Sequence, residues 1–166
     1  MSGVLVIVVL VGLLRIGEVL YAQRNARALI ARGGVEIGGA HYPLFFLLHG
    51  GWLLTLFWVV PADTAIRWAW LGLFLLLQLG RLWVVISLGP YWTTRVITIP
   101  GEPLVRRGPY RFLRHPNYLV VALEIAVLPL VFDAWPVSLV FSLLNAALLA
   151  WRIRVEDEAL ASRRAP

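Results

Sequence analysis

The sequence contains no cysteine and no lysine, and these two absences exclude several kinds of chemistry. Without cysteine the chain has no disulfide, no thiolate nucleophile and no cysteine-ligated metal. Without lysine it has no Schiff-base residue and no phosphate-loop lysine, and all 15 basic residues are arginine. The three histidines, His41, His49 and His115, form no metal-ligand pair such as HExxH, so we expect no metal site.

Charged residues of either sign are also scarce, and apolar residues take their place. Charged residues make up 14% of the 166-residue chain, whereas an ordinary soluble domain has about 25%. Hydrophobic residues make up 60%, which is more than a water-soluble fold of this length can bury. The composition therefore predicts one membrane-embedded domain covering residues 1–166.

Five apolar stretches approach the roughly 20 residues that a spanning helix needs. Asp133, Trp135 and Pro136 separate the last two and predict the tight turn of a helical hairpin. The first stretch lacks the charged n-region and the cleavage site of a signal peptide, so we expect a retained helix. The predicted fold is an all-α integral membrane protein with five transmembrane helices, at about 3–21, 42–60, 66–88, 117–132 and 136–153.

The arginines predict how the chain is oriented in the membrane. The segments 22–41 and 89–116 and the tail after the last stretch carry twelve arginines, whereas the other side carries only Arg67, at the start of the third stretch. By the positive-inside rule these three segments are cytoplasmic, the N-terminus is outside and the C-terminus is inside. This topology explains the basic charge, so we expect membrane lipids as partners and no nucleic acid. We expect a bacterial cytoplasmic (inner) membrane.

One polar residue in each stretch is predicted to lie at a similar depth: Arg15, His49, Arg81, Glu124 and Asn145. Ionisable groups inside a bilayer are costly, so each is a candidate functional residue. Two alternatives fit. The charges neutralise one another, with Arg81 paired to Glu124 and Arg15 to a neighbouring glutamate at i+3, or they line a polar cavity that is reached from the cytoplasm and holds a lipid headgroup. Both alternatives direct these side chains into the bundle.

The segment 89–118 is too rich in aromatic and guanidinium groups to be a simple connection. Pro116 suits the first turn of the fourth helix, where its missing N–H is not needed. His115 then lies at the helix start, Tyr118 lies on a neighbouring face, and the free N–H groups there favour a carboxylate or another anion.

The end of the last helix carries Arg152 and then the acidic run 156–158. Arg152 and Glu156 are spaced i, i+4 and share a face. A solvated helix end explains such a motif, but acidic residues at a helix C-terminus oppose the helix dipole, which suggests a role other than stability.

Together these two segments resemble the isoprenylcysteine carboxyl methyltransferase family of integral-membrane enzymes that use S-adenosylmethionine. The resemblance covers roughly residues 89–160. It rests on Gly108-Pro109-Tyr110, on Arg114-His115-Pro116-Asn117-Tyr118, and on Arg152 followed by Glu156, Asp157 and Leu160.

The resemblance implies a cofactor site at the cytoplasmic face, formed by the loop 89–116, the start of the fourth helix and the end of the fifth. It places the family's substrate-proximal arginine on Arg152, and Glu102 stands where the family often has histidine. The string 92–96, with Glu124, looks most like a bacterial branch that methylates alkylpyrone-like lipids. The implied contacts of S-adenosylmethionine are Arg95, Glu102, Pro103, Leu104, Val105, Tyr110, His115, Pro116, Asn117, Tyr118 and Glu156.

The function that this resemblance implies is methyl transfer to an oxygen of a lipophilic substrate. The acceptor is a carboxylate or an acidic enol or phenol, as in an isoprenylcysteine-like or an alkylpyrone- or alkylresorcinol-like lipid. Glu124 is then either a base for a weakly acidic phenol or only the partner of Arg81. The alternatives are an NADPH-dependent membrane lipid reductase, a phospholipid N-methyltransferase and a non-catalytic scaffold. The oligomeric state is left open.

Overall fold

The computed structural model describes residues 2–39 and 42–164, the last three by their backbone alone, so His41 lies outside the described residues. Five α-helices and one small sheet make up this part of the chain. The helices are α1 Gly3–Ala31, α2 Tyr42–Val59, α3 Trp68–Leu88, α4 Pro116–Leu130 and α5 Trp135–Arg164, and the strands are β1 Val35–Ile37 and β2 Val96–Thr98.

The outer surface of the bundle is apolar along much of its length. Leu47 on α2, Leu76 on α3 and Leu143 on α5 each leave more than half of their surface exposed. Such a surface is stable in lipid and not in water. Among the described residues α1, α2, α3 and α5 are long and apolar enough to cross a membrane, and α4 is a shorter apolar helix. The protein is therefore an all-α membrane protein, as predicted.

The helix α4 lies at the centre of the packing, between α3 and α5. Its buried side chains Ile125 and Leu128 belong to a core that also contains Trp52 and Leu56 of α2 and Phe74 of α3. Ser138 on α5 donates a hydrogen bond of 2.6 Å to the backbone carbonyl of Ala126, which couples the two arms of the hairpin.

The predicted tight turn between the last two helices is present. The chain leaves α4 through Asp133, which adopts a left-handed conformation with φ 59°. The backbone N–H of Ala134 then donates to the carbonyl of Pro129 at 3.0 Å. The side chain of Asp133 also pairs with Arg67 at 3.0 Å on the surface.

The predicted loop over 22–41 is wrong in part, because α1 continues for ten residues past the apolar stretch, as far as Ala31. The predicted span ended at residue 21 because the residues that follow are polar. A helix can continue outside the membrane without apolar residues, so the polar sequence did not mark the end of α1. The rest of this segment forms β1, which pairs antiparallel with β2 in the register Val35 to Thr98 and Ile37 to Val96. The prediction contained no strands, since three-residue strands have no readable alternation.

The segment between α3 and α4 folds back on the end of α3, and we call this side of the bundle the loop end. Short 3-10 helices span Gly89–Tyr91 and Gly108–Arg111. Gly108 has φ +57°, and a Cβ atom there would overlap the Ser87 hydroxyl. Arg107 Nε donates to the carbonyl of Ser87 at 2.6 Å, which fixes the segment against α3.

Candidate functional site

Charged side chains from three helices meet inside the bundle. Arg81 on α3 binds Glu18 on α1 through two hydrogen bonds, from Nε at 2.6 Å and from Nη2 at 2.7 Å. Its Nη1 donates to Glu124 on α4 at 3.1 Å. We call Arg15, Glu18, Gln78, Arg81 and Glu124 the buried charge cluster.

Arg15 completes this cluster from α1. It donates to Glu18 at 2.8 Å, to Glu124 at 3.0 Å and to the side-chain oxygen of Gln78 at 2.9 Å. The amide nitrogen of Gln78 donates in turn to Glu124 at 2.6 Å. Two guanidinium groups thus face two carboxylates, and the formal charges cancel. Sequence reasoning missed Gln78. The signal that could have identified it is the occurrence of an uncharged polar residue in an otherwise apolar helix.

Glu124 faces neither of the cavities described below. Both of its carboxylate oxygens accept hydrogen bonds within the buried charge cluster, and its side chain is only 4% exposed. The structure therefore supports the ion-pair alternative for Glu124 and offers no access for a substrate proton.

Except for Asn145, the polar residues that were predicted to share one depth take part in ion pairs or line a cavity. Arg15 and Arg81 pair within the buried charge cluster and also line a cavity together with His49. Asn145 is 1% exposed and lies outside that cavity, and its Oδ1 has no hydrogen-bond partner among the described residues. The ion pairs of the first alternative are thus present, whereas a lipid headgroup in a cavity reached from the cytoplasm stays a prediction.

A cavity of about 200 Å³ opens at the loop end, and we call it the loop cavity. It lies between β2, the loop before α4, the start of α4 and the end of α5. The predicted cofactor residues meet there, except Glu102 and Pro116. The members of the predicted set on its wall are Arg95, Pro103, Leu104, Val105, Tyr110, His115, Asn117, Tyr118 and Glu156, together with Arg152.

Glu102 and Pro116, which were predicted to contact the cofactor, lie outside the wall of the loop cavity. The carboxylate of Glu102 binds Arg32 at 2.6 Å and accepts from the Tyr91 hydroxyl at 3.0 Å, so it links the end of α1 to the loop. Pro116 is buried at the first position of α4. Its ring starts the helix and does not line the cavity.

Sequence reasoning left several wall residues unassigned. Trp92 is the largest of them, and it is almost fully buried. It lies in the segment 89–118, and its aromatic side chain in that aromatic-rich segment was the available signal. The unassigned wall residues are Leu88, Tyr91, Trp92, Thr93, Val96, Ile97, Arg114 and Leu160.

A chain of polar contacts joins α4 to α5 across the loop cavity. Arg152 Nε donates to the Tyr118 hydroxyl at 2.8 Å, and that hydroxyl donates to a carboxylate oxygen of Glu156. The ring of His115 stacks on that of Tyr118 with centroids 5.3 Å apart. Its Nε2 lies 3.1 Å from Asp157 Oδ1. The i, i+4 spacing of Arg152 and Glu156 places both on the face that meets α4.

Only the Nε atom of the Arg152 guanidinium donates a hydrogen bond to another described residue. Its guanidinium lies over the rings of Phe45 at 5.2 Å and Tyr118 at 5.6 Å. Within the described part of the chain, no acceptor binds its two terminal nitrogens at hydrogen-bond distance. Those nitrogens are available to an anionic ligand oxygen.

Two further polar atoms on the wall are buried without a partner among the described residues, Trp92 Nε1 and Asn117 Oδ1. A buried donor and a buried acceptor left unpaired cost free energy.

The hydroxyl of Tyr110 contributes a neutral group to this wall. Burial raises the pKa of the Tyr110 phenol, and the nearby carboxylate of Glu156 raises the same pKa further. The phenol therefore keeps its proton at neutral pH and offers one donor.

A second cavity, of about 130 Å³, adjoins the first deeper in the bundle, and we call it the inner cavity. Trp92, Thr93, Asn117, Tyr118 and Arg152 line both cavities and form their shared wall. The remaining wall of the inner cavity comes from all five helices and one loop residue: Arg15, Glu18, Val19, Tyr42, Phe45, Phe46, His49, Arg81, Thr94, Val121 and Leu149.

Comparison with known proteins assigns this arrangement to a family. A sequence model of the isoprenylcysteine carboxyl methyltransferase (ICMT) family matches residues 70–162, which is more than half of the chain. The chain belongs to this family. It is therefore a membrane methyltransferase, and every wall residue of the loop cavity lies inside the matched segment.

Two bacterial relatives are similar over most of their length. The chain is 40% identical over 151 residues to the uncharacterised protein YpbQ of Bacillus subtilis (strain 168), covering 88% of this chain and 89% of the relative. It is 26% identical over 144 residues to an uncharacterised protein of Haemophilus influenzae (strain ATCC 51907 / DSM 11121 / KW20 / Rd), covering 82% and 83%. No solved structure matches the chain. The similarity to the alkylpyrone-methylating branch stays a prediction.

The buried charge cluster predicts a large stability difference between two carboxylates. Replacing Glu124→Gln leaves two guanidinium groups with one carboxylate, so we expect unfolding to become easier by about 3–5 kcal/mol. The matched change Asp133→Asn breaks the exposed pair with Arg67 and is expected to cost at most about 1 kcal/mol. Thermal unfolding in detergent, followed by tryptophan fluorescence, measures both. Equal losses in the two variants contradict the role given to the cluster.

Proposed function

We propose that the protein transfers a methyl group from S-adenosylmethionine to an oxygen of a lipophilic acceptor. The acceptor oxygen belongs to a carboxylate or to an acidic enol or phenol, as in an isoprenylcysteine-like or an alkylpyrone- or alkylresorcinol-like lipid. The observation that carries the proposal is the pair of adjoining cavities, one polar and open at the loop end and one inside the bundle, with Tyr118 and Arg152 between them.

The loop cavity fits the cofactor by the chemistry of its wall. Glu156 offers a carboxylate to a cationic group, and Tyr110 offers a neutral hydroxyl donor. Leu104 and Val105 supply apolar surface for a purine ring. S-adenosylmethionine, when bound, supplies a methyl group on a positively charged sulfur.

His115 and Glu156 would hold the polar groups of the cofactor. In the structure both are already connected to the opposite helix, through Asp157 and Tyr118. These side chains are therefore held near their working positions, and binding exchanges a contact within the protein for one with the ligand.

The inner cavity suits the reacting end of a lipid. Its rim includes Phe46 of α2, which is 65% exposed on the outer surface, and Val19 of α1. A chain-bearing acceptor would move sideways between these helices from the bilayer, while its polar head reaches the shared wall. The apolar chain would then stay in lipid throughout.

Arg152 would orient the acceptor oxygen at the shared wall. Arg152 is the arginine that lines both cavities, whereas Arg15 and Arg81 line the inner cavity alone. Methyl transfer is an in-line displacement, so the protein contributes mainly position and the exclusion of water. The guanidinium packs against the rings of Phe45 and Tyr118, and these contacts restrict its orientation.

We expect S-adenosylhomocysteine to bind the detergent-purified protein and Glu156→Gln to weaken that binding about 10–100-fold, because a charged hydrogen bond is lost. Glu158→Gln, the same change at an exposed position two residues along the helix, is the matched control. Isothermal titration calorimetry measures both, with NADPH as a ligand that should not bind. Wild-type protein that binds NADPH and not the homocysteine compound contradicts the proposal.

For Arg152→Lys we expect about a hundredfold loss of methyl transfer to N-acetyl-S-farnesylcysteine or to a long-chain alkylphenol, whichever the wild type methylates. Lysine keeps the charge but loses the fork of donors. The affinity for S-adenosylhomocysteine should change little, and Arg154→Lys, an exposed position on the same helix, is the control. A parallel loss of cofactor affinity would instead place Arg152 in the cofactor site.

The proposed orientation, with the loop cavity facing the cytoplasm of a bacterial inner membrane, can be tested because the chain lacks cysteine. Single cysteines replace Asp63, in the exposed connection of α2 and α3, or Arg106, exposed at the loop end. A membrane-impermeant maleimide should label Asp63→Cys in intact spheroplasts and Arg106→Cys only after permeabilisation. The reverse pattern means the opposite topology.

A further inference from the structure

His49 is a polar side chain of the inner cavity that the proposed function leaves unused. It lies on α2 one turn after Phe45, and its Nδ1 is 2.8 Å from the Phe45 backbone carbonyl oxygen. A carbonyl oxygen only accepts hydrogen bonds, so Nδ1 carries the proton in this contact. The neutral imidazole therefore presents the lone pair of Nε2, and no described residue donates to that atom.

The carboxylate of the inner cavity and the hydroxyl of Tyr118 are engaged. Glu18 accepts three hydrogen bonds from Arg15 and Arg81. The hydroxyl of Tyr118 accepts from Arg152 and donates to Glu156. Among the cavity's described side chains, His49 is thus the base whose lone pair is open to a ligand.

Two of the guanidinium groups in the wall of the inner cavity are paired. Arg15 and Arg81 each bind both Glu18 and Glu124.

One aromatic ring separates His49 from Arg152. The guanidinium carbon of Arg152 lies 5.2 Å from the centroid of the Phe45 ring, and the rings of Phe45 and His49 are 6.4 Å apart. His49 and Arg152 also line the same cavity, so a head group bound there can face both the cation that orients an oxygen and the base that accepts a proton.

We propose that His49 removes the proton from a hydroxyl group of the acceptor, a phenol or an enol, as the methyl group is transferred. This inference rests on the proposed function. The hydroxyl proton passes to Nε2, and the oxygen forms a bond to the methyl carbon. The bond from that carbon to sulfur breaks with its electron pair staying on sulfur, which leaves S-adenosylhomocysteine. The imidazolium returns its proton to water after product release.

This role gives His49 an effect that depends on the acidity of the acceptor. A carboxylate is already ionised near neutral pH and needs no base, whereas a simple phenol has a pKa near 10 and does. A base contributes about 10²–10⁴-fold to such a step. A residue with a purely structural role would affect acidic and weakly acidic acceptors alike.

The test compares a long-chain para-alkylphenol with its ortho-nitro derivative, whose hydroxyl is ionised at the assay pH. Labelled methyl transfer is measured in detergent for wild type, His49→Gln and His49→Phe, with Thr55→Val as a control on the same helix and outside the cavity. We expect both His49 variants to lose about 10²–10⁴-fold with the alkylphenol. The loss with the nitro derivative should be under about tenfold, and the affinity for S-adenosylhomocysteine unchanged.

The other outcomes overturn the inference in separable ways. Equal losses with both phenols assign His49 a structural role, and no loss with either removes it from the reaction. Wild-type protein that binds S-adenosylhomocysteine but methylates neither phenol overturns the hydroxyl acceptor, and methylation of N-acetyl-S-farnesylcysteine would then preserve the proposed function. Wild-type protein that does not bind S-adenosylhomocysteine overturns the proposed function itself.

Discussion

The ion pairs that cross between Arg15, Glu18, Arg81 and Glu124 constrain the rest of the bundle. In a low-dielectric interior, separating any one of these charges from its partners is costly, and Arg81 binds Glu18 with the fixed fork of its guanidinium group. The cluster therefore fixes α1 against α3 and α4 at one height. The inner cavity lies beside the cluster, so its shape and the position of His49 depend on that alignment.

The two cavities relate differently to the segment that matches the family, residues 70–162. The wall of the loop cavity lies entirely within that segment. The inner cavity takes much of its wall from α1 and α2, which lie outside it, including Arg15, Phe46 and His49. Under the proposed function, the methyl donor would therefore contact the matched segment alone, whereas the acceptor would contact both parts of the chain.

What the sequence predicted well was local. The spacing of His115 and Tyr118, and of Arg152 and Glu156, fixes which side chains share a helix face, and the structure brings these residues together. Apolar runs likewise predicted the helices, because a spanning helix must satisfy its own backbone in lipid. What the sequence did not predict depends on pairing across long separations: the strands 35–37 and 96–98, the position of Glu102 beside Arg32, and Gln78 in the cluster.

The rim formed by Phe46 and Val19 has a consequence for how such a cavity meets its ligand. A molecule that reaches it from the bilayer is present at its mole fraction in the membrane, whatever its concentration in water. Each added methylene of the tail increases partition into lipid by about 0.8 kcal/mol, but the tail is in lipid both before and after the head is bound. Chain length then decides how much ligand the membrane holds, and the head group alone decides how tightly the protein binds it.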